Sequence, residues 1–153
     1  MGKPIDTIVC MDGCEVIGAF LASELTKAGV LSMNAHKTIY VVSPEYDSNG
    51  LMIFRDNLKH EIKNRNVLLL LASASTGTTV KNCIECVSYY GGILQGISAI
   101  FSAVDNVDGY HIDSLFKADD IPGYNIYSHN DCPMCKANEK IEAIVNGYGY
   151  SEL

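Results

Sequence analysis

Val67-Leu68-Leu69-Leu70-Leu71-Ala72-Ser73-Ala74-Ser75-Thr76-Gly77-Thr78-Thr79 is the stretch on which the fold turns. Val67 to Leu71 is an unbroken apolar run with no polar alternation. A run of that length reads as a parallel strand buried on both faces. Small hydroxyl residues occupy Ser73 to Thr79, and a helix is predicted from about Val80 to Tyr90, closed by Gly91-Gly92. A further strand is predicted over Leu94 to Phe101. Strand, loop, helix and strand in this order make a right-handed βαβ unit.

The loop carries the chemistry. An open α/β sheet binds ligands outside the carboxyl ends of its strands, which is where Ser73 to Thr79 falls. Free N–H groups at a helix start, with the positive end of the helix dipole, attract an anion. Ser75, Thr76, Thr78 and Thr79 add hydroxyl donors, and Gly77 permits close backbone approach. Together they would cradle a phosphate. The loop is not a Walker A motif, because the GxxxxGK[ST] spacing and its Lys are absent. Ser and Thr also cap helices with no ligand present, and the residues alone leave both readings open.

Working outward, Thr7 to Met11 reads as a strand and Asp12-Gly13 as a turn. Val16, Phe20, Ala22 and Leu25 fit a helix from Glu15 to Lys27, stopped by Gly29. A strand over Thr38 to Ser43 ends at Pro44. Asn49-Gly50 signals a hairpin, with Leu51 to Phe54 returning antiparallel. Near the C-terminus a short strand is expected at Ile126-Tyr127 and a last helix over Ile141 to Val145. The whole is a layered α/β arrangement, expected to form a single domain over residues 1–153 with a cysteine-bearing tail from about residue 125.

Composition narrows the function classes. The formal net charge is −7 and Lys and Arg nowhere cluster, so nucleic-acid binding by a basic face is not expected. No apolar run approaches the roughly 20 residues that cross a bilayer, and no signal peptide is expected at the N-terminus. Six cysteines without a secretory signal suggest thiols in a reducing compartment, so a cytoplasmic location is expected.

The segment VLLLLASASTGTTVKNCIECVSYYGG, Val67 to Gly92, is similar to the PRPP-binding stretch of the type I phosphoribosyltransferases. In that family a hydrophobic strand leads into two acidic residues, two small residues, a Thr-Thr-Gly-Gly-Thr loop and a helix. Ser75-Thr76-Gly77-Thr78-Thr79 matches the portion that holds the 5′-phosphate. IDTIVCMDGCEVIGAFLASEL resembles the family's first core strand, pyrophosphate loop and helix, and KTIYVVSPEYDSNG the strand and hairpin base that follow. YNIYSHNDCPMCK resembles the Cys-Pro-x-Cys ending of many orotate phosphoribosyltransferases.

The resemblance implies a Rossmann-like parallel sheet flanked by helices with a small antiparallel hairpin, and a homodimer. It also implies an orotate phosphoribosyltransferase-like protein that binds PRPP or a nucleoside monophosphate, with Mg²⁺ accompanying PRPP. The pyrophosphate-loop candidates are Asp12, Gly13, Cys14 and Glu15. The family's acidic pair falls on Leu71 and Ala72, and VVSPEYDSNG lacks the family's Lys. An apolar pair accepts no hydrogen bond from a ribose diol, so weak or absent transfer is expected, and no catalytic residue is assigned. The alternative is a non-catalytic nucleotide sensor, or a subunit that needs a partner chain.

Asp12 and Glu15 have the chemistry to hold Mg²⁺, although acidic residues are also routine at turns and helix starts. Cys132-Pro133-Met134-Cys135 and Cys83-Ile84-Glu85-Cys86 are two CxxC pairs. Zn²⁺ is considered for Cys132 and Cys135, with His129 nearby, or for all four thiols if the pairs meet. Cys83 and Cys86 on one helix face also suit plain core packing, and Cys10 and Cys14 read as buried thiols. Tyr124, Tyr127, Tyr148 and Tyr150 are expected to pack at an edge or contact.

Overall fold

The computed structural model describes residues 4–27, 34–35, 37–49, 51–128, 130–146 and 149–153. In chain order the elements are β1 (Thr7–Cys10), α1 (Glu15–Thr26), β2 (Tyr40–Val42), β3 (Glu45–Tyr46), β4 (Met52–Ile53) and β5 (Asn66–Ala74). There follow α2 (Thr78–Tyr89), β6 (Ile93–Ser102), β7 (Asn106–Val107), β8 (Tyr110–Lys117), α3 (Pro133–Lys136), β9 (Ala143–Asn146) and β10 (Gly149–Glu152).

Six strands form one sheet in the order β2-β1-β5-β6-β8-β7. All neighbours are parallel except β7, which runs antiparallel to β8. The apolar run of β5 is explained by its central place. Val67, Leu69 and Leu71 pack on one face with Val80, Cys83 and Val87 of α2. Leu68, Leu70 and Ala72 pack on the other with Ile8 and Cys10 of β1 and Ala22 of α1. The period-2 alternation is therefore apolar on both sides, as a helix-covered parallel strand requires. Gly18 lets α1 lie close to the sheet, since a Cβ there would collide with Cys10 Sγ.

The expected fold class holds: a mostly parallel sheet flanked by helices, with small antiparallel hairpins. The Asn49-Gly50 hairpin is present as β3 and β4, with Tyr46 opposite Met52, although Gly50 itself lies outside the described residues. Gly91 closes α2 as expected, at φ +77°, its N–H donating to Ser88 O while Gly92 N–H donates to Val87 O. The helix stop at Gly29 lies outside the described residues, as do His129 and Tyr148.

Several boundaries and two elements differ from the sequence reading. Ser73 and Ala74 belong to β5, and α2 begins at Thr78, so the loop shrinks to Ser75–Gly77. Ile126-Tyr127 forms no strand. Ile141 to Val145 is not a helix. Ala143–Asn146 pairs with β10 as a hairpin, in keeping with the β-branched pair Ile144-Val145. Strand β8 escaped detection because only Ile112 is fully buried along it and its apolar periodicity is broken. No helix among the described residues is long and apolar enough to cross a membrane.

Leu69 is fully buried at the centre of the α2 face. Leu69→Ala is expected to lower unfolding free energy by about 2–5 kcal/mol in urea titration. Leu115→Ala, at an exposed β8 position, is expected to stay within about 0.5 kcal/mol of wild type.

Candidate functional site

Two parallel strands, β1 and β5, end side by side, and each delivers a loop and a helix start to the same edge of the sheet. The edge carries two adjoining pockets. One, of about 510 Å³, is lined by Ser73 to Val80, Ala72, Asp12 and Val145. The other, of about 530 Å³, is lined by Met11, Asp12, Gly13, Glu15, Ser43 and Tyr46, among others. Asp12 lines both.

In the first pocket Ser75, Thr76 and Thr78 are exposed, Thr79 is half-buried and Gly77 is buried. Gly77 is the N-cap of α2, at φ +81°, and no side-chain hydrogen bond caps the helix. Thr76 Oγ1 lies 3.0 Å from Thr78 Oγ1 and only 3.5 Å from the Thr78 N–H, at the limit of hydrogen-bond reach. The hydroxyls line the cavity, and the one that reaches a first-turn N–H does so only at that limit. All five cradle residues expected from the sequence, Ser75, Thr76, Gly77, Thr78 and Thr79, come together. Gly77 has a second constraint, since an added Cβ would sit 2.8 Å from Val107 Cγ2.

The first loop is a tight left-handed turn, with Asp12 at φ +56° and Gly13 at φ +78°. Asp, like Asn, adopts this conformation more readily than other side chains. Burial holds the Asp12 carboxyl above the usual carboxylate range. Glu15 is drawn aside: its Oε1 accepts a 2.7 Å hydrogen bond from Ser43 Oγ. That bond, with the Glu15 backbone N–H, holds its carboxyl below the ordinary value. Cys14 does not line the pocket; it is buried behind the turn, where burial and then the nearby Asp12 and Glu15 charges push its thiol up.

Leu71 is 0 % exposed and turned into the core, and Ala72 lines the first pocket without a polar group. Among the described residues, Asp12 is the one carboxylate lining that pocket. Its chemistry fits Mg²⁺, which commonly takes one or two carboxylates together with ligand phosphates. No group of three His, Cys, Asp or Glu able to hold a metal occurs among the described residues.

The cysteines divide. Cys83 and Cys86 are buried on α2, and burial pushes their thiols up to about 12 and about 11. Cys10 is likewise buried and raised to about 12. Cys132 is half-exposed and Cys135 exposed. A four-thiol zinc site is not formed, because one pair sits inside the hydrophobic core and the other on the surface. Tyr124 packs edge-on against Phe101 with ring centroids 4.9 Å apart, and Tyr127 and Tyr150 are exposed.

Ser43, Tyr46 and Val145 are not singled out by the sequence reading, and Ser73 enters it only as the start of the loop. Ser43 follows from the rule that ligands lie at the carboxyl ends of parallel strands, applied to β2, whereas Tyr46 arrives on the antiparallel strand β3. Val145 had no such signal, since it arrives on the C-terminal hairpin.

No family model and no curated protein matches the sequence. Solved structures do match. Adenine phosphoribosyltransferase from Thermoanaerobacter pseudethanolicus aligns over 76% of this chain and 71% of its own, at 22% identity and TM-score 0.54. Hypoxanthine phosphoribosyltransferase of Trypanosoma cruzi covers 79% of this chain and 63% of its own, at 15% identity and TM-score 0.54. Adenine phosphoribosyltransferase from Trypanosoma brucei, in complex with AMP, pyrophosphate and ribose-5-phosphate, covers 91% and 70%, at 14% identity and TM-score 0.55. This chain therefore has the fold of the type I phosphoribosyltransferases. It spans about two thirds of the length of these neighbours.

Two substitutions probe the site. Gly77→Ala imposes a left-handed conformation on a residue with a Cβ, costing about 1–2 kcal/mol, and adds the Val107 contact. In denaturant titration Val107→Ala is expected to relieve the contact in the double variant but not the strain. Asp12 has the opposite sign. Its raised carboxyl favours the protonated fold, so its ionisation subtracts stability as pH rises above the ordinary carboxylate range. Asp12→Asn is expected to raise the thermal midpoint at pH 7 and to leave it unchanged or lower at acid pH.

Proposed function

We propose that the cradle binds the 5-phosphate of a phosphoribosyl compound, PRPP or a nucleoside monophosphate. The observation that carries the reading is the first turn of α2, which has no side-chain cap and opens into a hydroxyl-lined pocket. Backbone N–H groups and the helix dipole attract the phosphate there, and the Thr hydroxyls donate further hydrogen bonds. The fold supports the reading, since its solved neighbours are phosphoribosyltransferases, one of them holding ribose-5-phosphate.

Asp12 faces the same pocket and takes the part of the missing acidic pair. It accepts a hydrogen bond from a ribose hydroxyl, or holds Mg²⁺ beside the ligand phosphates. Bound there, Mg²⁺ would neutralise charge on a pyrophosphate group. The reading does not extend to efficient transfer. Leu71 and Ala72 offer no oxygen to the ribose, and no Lys or Arg lines either pocket among the described residues. Electrostatic stabilisation of the departing group is usually the largest catalytic term, at ~1.4 kcal/mol per tenfold in rate.

The reading includes a homodimer in the cytoplasm. Val16, Ile17 and Phe20 leave an apolar strip exposed on α1, with Phe20 69% exposed. Orotate is the first base to test, on the strength of the Cys-Pro-Met-Cys tail, with adenine and hypoxanthine beside it.

Thermal-shift titration with PRPP, orotidine monophosphate, AMP and inorganic phosphate, with and without Mg²⁺, tests the proposal. A saturable rise with a phosphoribosyl compound is expected. Thr79→Ala removes a hydrogen bond to a charged group and is expected to weaken affinity roughly 10- to 100-fold. Pyrophosphate release from PRPP with each base is expected to be weak or absent. No shift with any compound would reduce the loop to an ordinary helix start.

A further inference from the structure

The outer face of α2 and the β3–β4 hairpin enclose a pocket of about 520 Å³ that phosphate binding does not use. Asn82, Glu85, Cys86 and Tyr89 lie at i, i+3, i+4 and i+7, so they share one face of the helix. Opposite them the hairpin brings Tyr46, Leu51 and Met52. The volume is within the roughly 300–1,000 Å³ of small-molecule sites, and so is the make-up of apolar and aromatic walls with a few polar groups. Among the described residues, Tyr46 is the one shared with the first-loop pocket, and none is shared with the phosphate cradle.

The walls are fixed before any ligand arrives. Cys86 Sγ donates to Met52 O at 3.4 Å, tying the hairpin to the helix. Asp47 Oδ1 accepts from the N–H groups of Asn49 and Leu51, each at 2.8 Å, which sets the hairpin tip. Arg55 Nε donates to Glu45 Oε2 at 2.9 Å across the hairpin base. On the helix side Tyr90 stands edge-on to buried Phe54, with ring centroids 5.3 Å apart, and Tyr89 stands edge-on to Tyr90 at 5.1 Å. Tyr89 is nevertheless 84 % exposed. A ring held by its neighbour yet open to water is an ordered platform, and such preorganisation lowers the cost of binding.

Charge selects the ligand. Glu85 is the one charged side chain lining the pocket, and no Lys or Arg lines it among the described residues. Tyrosine faces carry negative potential and attract cations. The cluster already receives one from outside the pocket: Lys59 Nζ lies 5.7 Å from the Tyr90 ring centroid, its own charge offset by Asp56 Oδ1 at 2.6 Å. An anion finds no partner in this pocket, and the net charge of −7 disfavours it further.

We propose that this pocket is a second ligand site, separate from the phosphate cradle, that takes a flat aromatic ring bearing a cationic amine. The ring packs against Tyr89 and Tyr46, with Leu51 and Met52 covering its edge. The amine pairs with the Glu85 carboxylate.

Tryptamine is the probe, with indole-3-acetate as the same ring carrying the opposite charge. The chain contains no Trp, so indole fluorescence reports the probe alone. Titration of the full chain is expected to give a saturable change with tryptamine, and indole-3-acetate is expected to bind about threefold to tenfold more weakly. Glu85→Gln should remove most of that preference. Tyr89→Ala should weaken tryptamine binding by about threefold to tenfold. Both positions are exposed, and thermal midpoints are expected to match wild type. PRPP is expected not to displace the probe. No saturable change with tryptamine, equal binding of the acid, a preference that survives Glu85→Gln, unchanged binding in Tyr89→Ala, or displacement by PRPP would each overturn the proposal.

Discussion

Strand β5 is hydrogen-bonded to a parallel neighbour on each side, β1 and β6, and covered by a helix on each face. The rest of the molecule depends on that double burial. A strand with no wet face and no free edge cannot shift register without driving a whole set of Leu side chains out of contact. Its carboxyl end is therefore held rigidly, and the loop that follows inherits a fixed position. The loop needs only three residues, Ser75 to Gly77, to turn into α2, so little backbone freedom is left to order when a ligand arrives.

The same burial explains why the site looks chemically reduced. A residue at position 71 points into the α2-face core, where Leu71 fills space and contributes packing. Position 72 turns toward the pocket but carries only a methyl group. Charge has to enter from elsewhere, and the neighbouring loop after β1 supplies it through Asp12. The left-handed turn at Asp12 and Gly13 aims that carboxylate into the space beside the cradle, and partial burial there makes its ionisation costly. A ligand hydroxyl or cation that satisfies the carboxylate offsets that cost.

The cysteines follow the same division between packing and chemistry. On α2 the i, i+3 spacing of Cys83 and Cys86 meets the sheet, and the thiols behave as small apolar groups with raised pKa values. At the surface the same spacing meets water, leaving Cys132 half-exposed and Cys135 exposed. Identical CxxC spacing therefore yields inert packing in one place and solvent-accessible thiols in the other. Depth in the fold makes the difference.

Much of this was legible before any coordinates. VLLLL named a doubly covered parallel strand because nothing else makes so long an apolar run useful at strand length. The hydroxyl loop after it marked an edge where a pocket opens, because β–α junctions at strand carboxyl ends expose helix N–H groups. Periodicity failed where burial was partial. Strand β8 buries only Ile112 completely, and Ile144-Val145 was assigned to a helix although it pairs across a hairpin. Only the tertiary structure decided that Asp12 and the Thr cradle share one pocket, that Glu15 is tied to Ser43, and that Cys14 is hidden. Those outcomes depend on which strand ends lie side by side, and pairing between strands some 60 residues apart is long-range geometry that local sequence does not encode.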